Sequence, residues 1–142
     1  METKEMETSK TTKKQQPHDH TAAWAEAFYI GNLLFVGIFY IALWLLYFLR
    51  YKKTSGIGRH HLKQALLGSS ITTTLFIIIN VIIILTSGYA SLTGLLLLEL
   101  YYMILLPVFL VIGIIAFSKA IKEVDYNYPL IGRFIKPIDQ TR

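Results

Sequence analysis

The chain has 142 residues, the length of one domain, with 54% apolar residues, only 16% charged residues and a formal charge of +5; about a quarter of an ordinary soluble domain is charged. Three apolar runs, at 27–49, 65–85 and 94–117, contain a single charged residue between them, Glu99. That pattern excludes a soluble fold, since about 20 apolar residues suffice for one membrane helix and a chain this short has no core large enough to hide three such runs. The absence of cysteine further excludes disulfides, thiolate zinc sites, iron–sulfur clusters and covalent c-type haem.

Residues 1–21 are polar and lack apolar periodicity, so they read as a disordered tail ahead of a membrane domain over 22–142. The first span, 27–49, has Trp24, Phe28 and Tyr29 near one end and Trp44, Tyr47 and Tyr51 near the other. Such rings favour the two membrane interfaces. Ala23, Ala27 and Gly31 recur every fourth residue, a ridge of small side chains against which another helix can pack. The tract 50–63 carries Arg50, Lys52, Lys53, Arg59 and Lys63 with no acid, and Ser55, Gly56 and Gly58 are expected to interrupt any helix there. A nucleic-acid role for these bases is set aside, because the charges abut two spans and read as a topology signal facing lipid headgroups.

The second span, 65–85, is rich in β-branched residues, but in lipid the helix is favoured because it satisfies its own backbone. Ser69, Thr73 and Asn80 share one face of it. They serve either helix packing or a hydrated path, with packing preferred. The third span, 94–117, contains Glu99 in its outer third and Pro107, which is expected to kink it. Glu99 is a proton or cation site, a buried partner for a cation in another subunit, or a carboxylate satisfied near the interface, the last being preferred. Beyond it, 121–138 reads as an interfacial segment in which Tyr126, Tyr128, Leu130, Ile131 and Phe134 alternate with Lys122, Arg133 and Lys136. The same segment is equally suited to capping the open end of a helix bundle.

The fold expected is therefore all-α: a polytopic membrane protein with three transmembrane helices. The positive-inside rule puts the 50–63 tract and the C-terminus in the cytoplasm and the N-terminus outside, in the cell inner membrane. His18 and His20 then lie across the membrane from His60 and His61, which are expected to face lipid headgroups, so the two pairs cannot share a haem. No catalytic constellation, metal site or cofactor site is apparent, and no enzyme is expected. The expected partners are membrane lipids and other membrane subunits.

Two segments carry a resemblance. One is His60-His61-Leu62-Lys63-Gln64-Ala65-Leu66; the other runs from Ser118-Lys119-Ala120 through Tyr126-Asn127-Tyr128-Pro129-Leu130 to Arg133-Phe134-Ile135. Together they resemble a family of small bacterial membrane proteins related to the import-channel component of the chloroplast inner envelope. The resemblance implies a membrane helix bundle. Three functions follow in order of preference: an accessory or scaffold subunit of a membrane complex, a channel or translocation component like the import protein, and a haem- or metal-binding electron-transfer subunit.

Overall fold

A computed structural model describes residues 19–86, 88–129 and 131. The regular elements among them are α1 (Thr21–Leu34), α2 (Ile38–Arg50), α3 (Gly56–Thr86), α4 (Leu92–Leu100) and α5 (Leu106–Ile121), with a π-helical turn at Tyr101–Leu105 joining the last two. The all-α class holds. Two rods, Gly56–Thr86 and Leu92–Ile121, are long and apolar enough to cross a membrane.

The first expected span does not form as one helix. It is broken between Leu34 and Ile38 into helices of 14 and 13 residues. At 1.5 Å per residue each is only about 20 Å long, short of the ~30 Å hydrocarbon core. Two residues explain the break. Gly37 has φ 103°, a conformation that side chains disfavour. Its N–H donates to Asn32 Oδ1 at 3.2 Å, while Asn32 Nδ2 donates to Thr73 Oγ1 at 3.0 Å. One buried amide thus ends α1 and pins the tip to α3. Helix α2 then folds back along α1. The Phe39 ring lies against Gly31, where an added Cβ would come within 2.8 Å of it.

The hairpin closes at its base. Asp19 accepts from the Thr21 and Ser55 N–H groups, at 3.1 and 2.7 Å, and from the Thr54 hydroxyl. Partial burial acts against the Asp19 charge, but these hydrogen bonds prevail and hold its carboxyl well below the usual carboxylate range. Gly58 passes directly beneath the clasp, and a Cβ there would collide with Thr54 Oγ1. Asp19, Thr54 and Ser55 therefore sit at one end of the bundle. Asp19 and the start of the basic tract, expected on opposite faces, thus share one end of the bundle, because the hairpin folds the chain back along itself.

Helix α3 starts nine residues earlier than expected. Gly56 and Gly58 lie within its first turn rather than interrupting a helix, and the break comes at Thr54–Ser55. At its far end, the Ser91 hydroxyl caps α4 by accepting from Gly94 N–H at 3.0 Å. The kink expected at Pro107 takes the form of the π turn: proline offers no N–H to the preceding turn, and Leu106 N–H reaches back five residues to Tyr101 O.

Helix α1 packs against both α3 and α5. At the centre, the buried Tyr29 ring is gripped between glycines on the two long rods. Added Cβ atoms would approach it to 2.9 Å at Gly68 and 2.8 Å at Gly113. After Ile121 the chain turns at Glu123, with φ 53°, and runs without helix over the basic end of the bundle. Tyr128 and Ile131 are buried there. Over 124–129, and again at Ile131, this segment caps the bundle. The remainder of the expected interfacial segment, with Arg133, lies outside the described residues, as do residues 1–18 of the expected tail.

Candidate functional site

The cap closes over a cluster of buried polar side chains from three parts of the chain. Glu26 comes from the second turn of α1, His60, His61 and Gln64 from the first turns of α3, and Asn127 and Tyr128 from the C-terminal segment. Glu26, His61 and Gln64 are fully buried. His61 Nδ1 lies 2.7 Å from Glu26 Oε1, and His61 Nε2 lies 3.1 Å from the Val124 carbonyl. The Tyr128 hydroxyl donates to the second Glu26 oxygen.

These partners fix most of the protons. A carbonyl oxygen can only accept, so His61 Nε2 carries a hydrogen toward Val124. The contact between Nδ1 and Glu26 then shares one further proton, held as an ion pair or as a neutral imidazole and carboxylic acid. Tyr128, outside the helices, has its phenol pushed well above the ordinary tyrosine value, by burial first and by the neighbouring Glu26 charge second. It remains a donor. Alongside, His60 Nε2 and Gln64 Nε2 converge on Asn127 Oδ1 at 2.9 and 3.1 Å. Asp125 Oδ1 stands 3.4 Å from His60 Nε2, at ion-pair distance without a hydrogen bond.

The arrangement can hold a proton and fasten the cap. It is not built to ligate a metal or haem through His61, because both imidazole nitrogens are engaged. Among the described residues no group of three or more His, Cys, Asp or Glu side chains is placed to hold a metal ion. The expectation that His60 and His61 face headgroups is corrected: they are 3% and 0% exposed. Their separation across the membrane from His20 is likewise corrected, since His20 sits at the same end, just before α1. His18 is outside the described residues.

The other expected site residues are dispersed. Ser69 is buried, and its hydroxyl has no hydrogen-bond partner among the described residues. Thr73 accepts from Asn32 and so does pack helices together. Asn80 instead donates back to Phe76 O at 2.7 Å and accepts from Tyr89, tying α3 to the turn after it. The small-residue ridge divides: Gly31 receives Phe39 of α2, while Ala23 and Ala27 line a surface groove with Phe117. Glu99 is exposed on α4, with no hydrogen bond or ion pair to any described residue. Arg50, Lys52, Lys53, Arg59 and Lys63 are all exposed at the clasp end, and Lys63 Nζ lies 5.4 Å from the centre of the Tyr51 ring. Sequence reasoning offered a capping role for the segment that holds Tyr128 but missed its buried partner Glu26 and the pin at Asn32. The signals available were a glutamate one turn inside an apolar helix and an asparagine five residues before a glycine.

No curated protein and no solved structure shows significant similarity to the chain. A family model does match, over residues 18–135, a stretch that holds the hairpin, both long rods and the cap. The relation to the chloroplast import component finds no support in these comparisons. With its helical membrane-type bundle and a match over most of its length, the chain belongs to the MamF/MmsF family, the magnetosome magnetite crystal formation protein family.

Proposed function

We propose that the chain is a non-enzymatic membrane protein that acts as an accessory or scaffold subunit where its family's magnetite crystals form. Two rods cross the membrane and the α1–α2 hairpin enters from one side. The basic tract puts that side in the cytoplasm, together with the N-terminal residues and the cap. The observation that carries the reading is α2. Leu43 is its one buried residue, while Ile38, Ile41 and Phe48 are each more than 70% exposed. This half-length apolar arm is held to the bundle through one flank, leaving its others for lipid or a neighbouring helix.

Purification in mild detergent tests the proposal. The intact protein is expected to bring down other membrane proteins, and a variant with Ile41→Ala and Phe48→Ala to bring down fewer while eluting normally. A lone monomer in both cases would overturn it.

A channel or translocation role has one observation in its favour, the unpartnered buried hydroxyl of Ser69. Thr73 on the same face is bonded to Asn32, which supports packing over a water path. A Ser69→Cys variant decides between them. Reaction with a membrane-impermeant thiol reagent would favour a channel, and protection the packed bundle.

A further inference from the structure

Two grooves flank Trp24, which is 58% exposed near the start of α1. The larger, about 630 Å³, runs between α1 and α2 and is lined by His20, Trp24, Phe28, Leu46, Arg50 and Lys53, with Asp19 and Thr21 at its base. The smaller, about 410 Å³, lies against α5 and is lined by His20, Ala23, Trp24, Ala27 and Phe117. His20 and Trp24 belong to both.

The larger groove is polarised along its length. Because α1 and α2 run antiparallel, the start of one and the end of the other share its mouth, which puts His20 beside Arg50 and Lys53. Trp24 and Leu46 stand about one turn further in. Phe28 stands two turns in, roughly 12 Å beyond His20 along the axis. Asp19 is also at the mouth, but its oxygens already accept from Thr21, Thr54 and Ser55. The two cations outnumber this one carboxylate, at an opening within a tract, 50–63, that has five bases and no acid. The smaller groove is apolar and exists because residues 23 and 27 are alanines.

A cationic mouth leading within two turns to aromatic and aliphatic walls, doubled around one indole, matches one chemistry. We propose that the paired grooves bind a single acidic diacyl phospholipid, its phosphate at Arg50 and Lys53 and its two acyl chains on either side of Trp24. The assignment uses no part of the scaffold reading and stands or falls apart from it. It also accounts for the small residues at 23 and 27, which leave the smaller groove open beside Phe117.

Trp24 provides the probe. The full chain with Trp44→Phe, which leaves one tryptophan, is reconstituted in phosphatidylcholine vesicles. A minor fraction of phosphatidylglycerol or phosphatidylcholine with brominated acyl chains is then added. Quenching by the brominated acidic lipid is expected to reach half its maximum at a lipid fraction on the order of tenfold lower than for the zwitterionic one, as two basic contacts allow. Arg50→Gln with Lys53→Gln is expected to abolish that preference. Lys52→Gln with Lys63→Gln, the same charge loss outside the grooves, is expected to keep it. Equal quenching of the otherwise unaltered protein by both lipids would overturn the proposal, whatever the variants do. So would equal loss in both variant pairs, which would mean a diffuse surface charge. Displacement of the brominated acidic lipid by inorganic phosphate would assign the mouth to a free anion instead.

Discussion

Around the Tyr29 ring, space comes from side chains that are missing. Gly68 and Gly113 face it from two different rods, and its hydroxyl donates to Phe109 O at 3.3 Å. A methyl group at either glycine has no room. Gly113→Ala is expected to cost about 1–3 kcal/mol by overpacking, read as a lowered unfolding temperature in detergent. Gly88→Ala, with open space around it but φ 75°, tests backbone strain without a clash. In the buried cluster, Tyr128→Phe leaves one Glu26 oxygen without its donor, at a cost of roughly 1–3 kcal/mol. Hydrogen exchange at 124–128 is expected to rise before exchange in the rods does. A rise in the rods alone would mean that the cap does not depend on this bond. None of this was legible residue by residue. Glu26 looked like one more charge beside a span, because His61 is 35 positions away and Tyr128 is 102 positions away. Only the topology makes them neighbours.

Among the elements, the two long rods were legible from hydropathy because lipid demands about 20 apolar residues whatever their order. The hairpin was not, because composition cannot distinguish one crossing helix from two half-length ones. Its signal was local, an asparagine and a glycine five apart, and it matters because Asn32 serves the tip and α3 together. A Cβ added at Gly37 would meet no atom within 4 Å, so Gly37→Ala is a test of backbone conformation alone. The expected loss is about 1–2 kcal/mol. At the other end, the clasp has a pH signature. The Asp19 carboxyl titrates lower when folded than when unfolded, so its stabilisation is present above about pH 4 and is lost as pH falls below that. Asp19→Asn is expected to lower stability at neutral pH and to flatten this acid limb of a pH–stability curve. An unchanged acid limb would count against the clasp.

For the molecule as a whole, the decisive quantity is which ends lie together. The charge map reads the basic tract as an orienting signal and assumes three crossings, an odd number; the proposed arrangement, two crossing rods and a returning hairpin, makes the number even. The sequence is free of cysteine, so single cysteines can be placed cleanly. His20→Cys, Ser55→Cys and Lys122→Cys are expected to react with an impermeant thiol reagent from one side of sealed vesicles, and Tyr89→Cys from the other. Reaction of His20→Cys on the Tyr89 side would restore the three-span arrangement. The turn that ends α3 has a consequence for how the chain enters a membrane. In the proposed two-rod arrangement, with the hairpin, the clasp and the cap all on the near side, the segment 87–91 is what insertion must deliver to the far compartment, and it reads Ser-Gly-Tyr-Ala-Ser. Apart from Glu99, two turns into α4, no charged side chain of the rods has to be carried toward the far side. Both rods can enter as one folded loop, and the far compartment meets little more than a few hydroxyls and a phenol.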